Sequence, residues 1–181
     1  MNLVALSFGS NIDKERNLPE AVRLLHEMTE LVEIIAVAPV YETAPTGLLN
    51  QPNFFNTAVL IHTPLSATEV KETIINRIET QLKRVRQADK NAPRTIDIDI
   101  VLFNDDVFNY ELSDGSTRHV PDKDILRFPH VAVPLADLLP DMLHPETGER
   151  LSAITTRLLA EIIPGTIWSR PDIQLPGSDM K

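Results

Sequence analysis

The chain has 181 residues, 43% hydrophobic and 24% charged, with no cysteine. That is the length and composition of one ordinary domain with a sizeable core, and it excludes disulfides, thiolate metal sites and cysteine nucleophiles. The formal net charge of −9 argues against nucleic acid as a partner, since that binding runs on phosphate neutralisation by Lys and Arg. Met1 to Phe8 is apolar but too short to span a bilayer, no later segment approaches a spanning length, and a soluble, cytoplasmic protein with no membrane contact is expected.

Leu3 to Phe8 reads as a buried strand, followed by Gly9-Ser10-Asn11, a turn or helix-start signal. Leu18, Ala21, Val22, Leu25 and Met28 form a helical stripe over 17–28. Leu31 to Val37 is a short β-rich run, and 40–47, with Pro45 and Gly47, reads as an ordered loop rather than a regular element. Phe54 to Thr63 is a strong strand. Ser66 and Glu69 make a capping box that starts a helix, and Val70, Ile74, Ile78 and Leu82 give it a core face. Thr95 to Phe103 is a second strong strand. Two strand–helix–strand units predict an α+β sandwich, with helices on one face of a mixed or antiparallel sheet. Beyond 104 the pattern weakens. One domain over 1–163 is expected, followed by a loosely docked tail over 164–181, which holds three prolines.

The chemistry concentrates in Arg94-Thr95-Ile96-Asp97-Ile98-Asp99-Ile100. Strand alternation puts Asp97 and Asp99 on one face, with their Cα atoms roughly 7 Å apart. Two like charges on a strand are costly, and divalent cations such as magnesium would offset that cost. A sheet face open to water would also tolerate the pair. Arg84, Arg86 and Arg94, within eleven residues ahead of it, favour phosphate, because the guanidinium fork is planar, permanently charged and bidentate. A solvated helix end accounts equally well for Arg84 and Arg86, but less well for Arg94, which follows Pro93. Carboxylates for metal beside arginines for phosphate suit transfer from a nucleoside triphosphate, and the chain has neither a P-loop nor a G-x-G-x-x-G motif.

The succession Ala5-Leu6-Ser7-Phe8-Gly9-Ser10-Asn11, Val40-Tyr41-Glu42-Thr43 with Gly47, Gln51-Pro52-Asn53-Phe54-Phe55-Asn56, Arg84-Val85-Arg86 and Pro93-Arg94-Thr95-Ile96-Asp97-Ile98-Asp99 resembles 6-hydroxymethyl-7,8-dihydropterin pyrophosphokinase, an enzyme family of folate biosynthesis. The resemblance runs from about residue 3 to 145. It implies a ferredoxin-like fold and pyrophosphoryl transfer from ATP to the pterin hydroxymethyl group, releasing AMP. It also implies that Asp97 and Asp99 hold two magnesium ions while Arg84 and Arg94 stabilise the migrating group. Glu79, Arg86 and Ile100 would meet the nucleotide. Thr43, Pro45, Gly47, Phe54 and Asn56 would meet the pterin.

The third loop departs from the pattern. Pro121-Asp122 stands where members often carry Pro-His, and counting back from Pro134-Leu135 puts Phe128 at an arginine position and His130 at the pterin-stacking aromatic position. A monomer acting on ATP and a pterin is therefore expected. The alternative is a catalytically silent homologue that binds pterin or nucleotide and acts through a partner.

Overall fold

In the computed structural model, residues 1–45, 50–86, 89 and 92–177 are described. The elements in the first half are β1 (Asn2–Ser10), α1 (Lys14–His26), β2 (Glu33–Val37), β3 (Tyr41–Thr43), β4 (Phe54–Thr63) and α2 (67–81). Those in the second half are β5 (Asp97–Phe103), β6 (Phe108–Glu111), β7 (Thr117–Val120), a 3₁₀ turn (Lys123–Leu126), α3 (Pro129–Leu138), α4 (Leu151–Glu161) and β8 (Ile167–Ser169).

Strand β1 is the spine of the sheet. It pairs with β4 along its whole length and with β5 on its other side, both antiparallel. The outer edge of β4 takes β2 along one half and β3 along the other, and β8 lies outside β3. Strands β6 and β7 form a separate hairpin.

Alternation along β1 sends Val4, Leu6 and Phe8 to one core, with α1 and α2, and Ala5 to a second core, with α3 and α4. Helices therefore cover both faces of the sheet rather than the one expected. The second layer comes from the proline-rich stretch after 120. There Pro129 sits in the first turn of α3, a position where a missing N–H costs nothing.

Two further segments differ from expectation. Tyr41–Thr43 is a strand rather than a loop, because its hydrogen-bond partners lie on β4 and β8, distant in sequence. The segment expected as a loose tail contributes β8, and Leu175 beyond it is 5% exposed. Among the described residues no helix is long and apolar enough to cross a membrane.

Candidate active site

Helices α3 and α4 cover only part of their face of the sheet. The uncovered end forms a pocket of about 270 Å³ whose lining includes Thr43, Phe54, Asn56, Arg94, Asp97, Asp99 and His130. The sheet register explains its floor. Asp97 and Asp99 lie opposite Gly9 and Ser7 of β1, and these lie opposite Asn56 and Ala58 of β4. Cross-strand neighbours share a face, so small residues on β1 leave room above the sheet between the acids and Asn56. Asp97 and Asn56 are two strand spacings apart, about 10 Å, which is the reach of a bicyclic ring with a short arm.

The Asp99 carboxyl is pushed up to about 6, first by burial and then by the charge of Asp97. Its side chain is 53% exposed and lines the concave pocket, where neighbouring protein limits its solvation. A pair of hard oxygen donors on the pocket floor suits magnesium, which takes one or two carboxylates and completes its shell with water and substrate phosphates. Among the described residues no cluster of three or more His, Cys, Asp or Glu completes a protein-only metal cage.

The arginines reach the pair from two differently built supports. Helix α2 ends in a Schellman turn, in which Lys83 N–H donates to Thr80 O (3.0 Å) and Arg84 N–H to Glu79 O (2.9 Å). This directs Arg84 back over β5, with Nη2 3.5 Å from Asp97 Oδ1. Among the described residues, Arg84 Nε is buried without a hydrogen-bond partner, and such a donor suits an incoming phosphate oxygen. The turn places Lys83, a non-glycine residue, at φ 56°. Lys83→Gly is expected to raise the unfolding free energy by about 0.5–1 kcal/mol in urea denaturation, because left-handed strain outweighs the entropy glycine adds to the unfolded chain.

Arg94 is fixed through its backbone. Its N–H donates to Asn11 Oδ1 (2.8 Å), and its carbonyl accepts from Asn11 N–H and Ile12 N–H (both 3.1 Å). Asn11 Nδ2 also donates to Gln51 Oε1 (2.9 Å) and Pro52 O (3.2 Å). One buried amide thus ties Arg94 to the segment entering β4. The Arg94 side chain donates to Asp97 Oδ2 at 2.5 Å and lies 5.8 Å from the centre of the Phe54 ring.

On the other side of the pocket, Asn56 Nδ2 donates to the Thr43 hydroxyl (2.9 Å), which fixes the amide's orientation. His130 stacks on Phe128 with centroids 5.2 Å apart and planes 24° apart. Burial lowers the His130 imidazole to about 4, so at neutral pH it is an uncharged flat ring. Pro45 is half-buried but does not line the pocket, and Gly47 lies outside the described residues. Asp122 does line it, with Oδ1 accepting from Asp124 N–H (2.8 Å).

Glu79 and Arg86 lie across the free edge of β5 from this pocket. Glu79 is 5% exposed and its carboxylate is engaged on both oxygens. Oε1 accepts from Ile98 N–H (3.2 Å) and Oε2 from Arg86 Nη2 (2.9 Å). Ile100 buries its side chain in the core opposite the aspartates, so only its backbone could meet a ligand.

Sequence reasoning missed Lys71. It is 4% exposed, and its Nζ donates to Ile98 O (2.9 Å) while lying 3.7 Å from Glu79 Oε1 and 3.8 Å from Asp99 Oδ1. Helix α2 is π-helical over Val70–Ile75. That wider turn buries a second row, Lys71, Ile75 and Glu79, beside the expected row of Val70, Ile74 and Ile78. The signal was the four-residue spacing of Lys71, Ile75 and Glu79, a charged pair bracketing an isoleucine. Lys71→Met keeps the volume but leaves Glu79 and the Ile98 carbonyl short of a partner. It is expected to cost about 3 kcal/mol in urea denaturation.

Carboxylates facing arginines at the open end of an antiparallel sheet are groups suited to phosphoryl transfer. Over residues 5–140 the sequence matches the 7,8-dihydro-6-hydroxymethylpterin-pyrophosphokinase (HPPK) family, and the chain belongs to that family.

Curated relatives include 2-amino-4-hydroxy-6-hydroxymethyldihydropteridine pyrophosphokinases. That of Pseudomonas aeruginosa is 32% identical over 143 residues, which is 79% of this chain and 84% of the relative. That of Bacillus subtilis is 42% identical over 104 residues, 57% of this chain and 60% of the relative. The folic acid synthesis protein fol1 of Schizosaccharomyces pombe is 34% identical over 154 residues, covering 84% of this chain but 20% of that protein. This chain therefore spans only part of some of the relatives it matches. The crystal structure of wild-type HPPK-DHPS from Plasmodium falciparum shares the fold, with a TM-score of 0.68 at 13% identity over 88% of this chain and 45% of that one.

Proposed function

We propose that this chain transfers the pyrophosphoryl group of ATP to 6-hydroxymethyl-7,8-dihydropterin, acting as a cytoplasmic monomer. The observation that carries the proposal is the row across the sheet floor, with two acids and two arginines at one end and Asn56, Thr43 and Phe54 at the other. The hydroxymethyl oxygen forms a bond to the β-phosphorus as the bond from that phosphorus to the α–β bridging oxygen breaks. The hydroxyl proton passes to water, and AMP leaves with the bridging oxygen.

Asp97 and Asp99 would hold magnesium, which when bound neutralises charge on the triphosphate. Arg84 and Arg94, drawn off Asp97 by the phosphates, place their donors on the migrating group. Asn56, held by Thr43, reads the pterin edge, Phe54 and the neutral His130 flank its ring, and Arg86, braced by Glu79, meets the nucleotide beside the Ile100 backbone.

Titration of a non-hydrolysable ATP analogue, with and without magnesium, tests the nucleotide half of the site. Tight binding that requires magnesium supports it, and binding indifferent to magnesium contradicts it.

A further inference from the structure

The family match ends at residue 140, yet the chain beyond it is built into the outer wall of the pocket. Strand β8 pairs with β3 in the register Tyr41↔Ser169, Glu42↔Trp168 and Thr43↔Ile167. Backbone bonds extend the pairing at both ends, from Arg170 N–H to Val40 O (2.8 Å) and from Ala44 N–H to Thr166 O (3.3 Å). Without β8, β3 would be a three-residue edge strand, which is weakly held. That strand carries Thr43, whose hydroxyl fixes Asn56.

Side chains reinforce the pairing from the opposite face. Glu42 alternates with Thr43, so it points away from the pocket, and it is 9% exposed. Its Oε1 accepts from Lys14 Nζ (2.8 Å) and Asn53 Nδ2 (3.3 Å), and its Oε2 accepts from Arg170. Lys14 and Arg170 lie over the ring of Phe55, 4.3 and 4.7 Å from its centre, and Phe55 sits between the pocket residues Phe54 and Asn56. Lys14 Nζ also donates to Asn53 O (2.9 Å). One buried carboxylate thus gathers the start of α1, the entry to β4, strand β3 and the segment after β8. Among the described residues, Arg170 is the only hydrogen-bond partner of this carboxylate from beyond the family match.

We infer that Arg170 is a positioning residue for the acceptor subsite. By holding Glu42 on the far face of β3, it fixes Thr43 and Asn56 in the arrangement an acceptor needs, without touching either substrate. The inference rests on reading the Thr43–Asn56 side of the pocket as the acceptor site. The phosphate side has separate supports, the Schellman turn for Arg84 and the Asn11 contacts for Arg94, so its properties should not follow Arg170.

The test is steady-state kinetics of this 181-residue chain carrying Arg170→Met. The pterin KM is expected to rise about ten-fold, with the ATP KM and saturated kcat within about two-fold of wild type. Arg170→Lys, which returns a cation to Glu42, should recover most of the loss. Asp172→Asn removes only the exposed partner of the same guanidinium, held at 2.9 and 2.7 Å, and should leave the pterin KM unchanged. Amide exchange across 41–43 should quicken in Arg170→Met alone.

Parallel losses for both substrates, or an equal effect from Asp172→Asn, would overturn the inference, as would an unchanged pterin KM. If the wild-type chain does not turn over the pterin at all, the proposed function fails instead. Amide exchange then decides the inference by itself, and unaltered protection of 41–43 in Arg170→Met refutes it.

Discussion

Asp97→Ala is expected to lower single-turnover pyrophosphoryl transfer by about 10³-fold or more while the protein stays folded. Asp97 does two jobs at the pocket floor. It is one of two carboxylates on the β5 face, and it is the resting partner of both Arg84 and Arg94. Removing it strips a cation ligand and leaves both arginines without the acid that aligns them.

The fold should survive because two effects on stability oppose each other. Arg84, with its side chain 9% exposed, loses an acidic neighbour, which is costly. Asp99 is relieved of a like charge that contributes to pushing its carboxyl up to about 6. The net change in unfolding free energy is expected to stay within about 2 kcal/mol, measured by urea denaturation. Wild-type turnover in this variant would refute the role given to Asp97. Asp97→Asn, which keeps the shape and removes the charge, should fall nearly as far.

Arg94→Ala is expected to reduce the chemical step by about 10²–10³-fold, with a much smaller loss of ATP affinity. The position allows a clean reading, because Asn11 grips the backbone of residue 94 and not its side chain. Alanine therefore keeps the loop in register and removes only the guanidinium. A cation that acts on charge developing in transfer lowers the barrier more than it tightens ground-state binding. Rapid-quench single-turnover rates beside nucleotide titrations separate the two. Equal losses in rate and affinity would make Arg94 a simple binding residue.

Much of this site was legible in the sequence because its strands declare themselves locally. Phe54 to Thr63 was read with the bounds it has in the fold, and the Ser66–Glu69 capping box forms as expected. Strand alternation alone put Asp97 and Asp99 on one face, and counting back from Pro134-Leu135 brought His130 to the pocket.

What stayed hidden depends on partners far away in the chain. Tyr41–Thr43 is three residues long, follows Pro39 closely, and becomes a strand only because β4 and β8 flank it. Ile167–Ser169 had the same difficulty among its prolines. Lys71 was hidden for a different reason, since the reading assumed α-helical spacing and the π-helical turn widened the buried stripe by one row. Asp122 enters the pocket through the fold of the turn that follows β7, where its side chain caps the 3₁₀ segment.

The most direct test incubates the purified chain with ATP, magnesium and 6-hydroxymethyl-7,8-dihydropterin and separates the nucleotides. AMP formed in step with pterin consumed, and absent without pterin, is the expected result. ADP in place of AMP would contradict pyrophosphoryl transfer, and no nucleotide product despite magnesium-dependent ATP binding would mark the chain as a silent homologue.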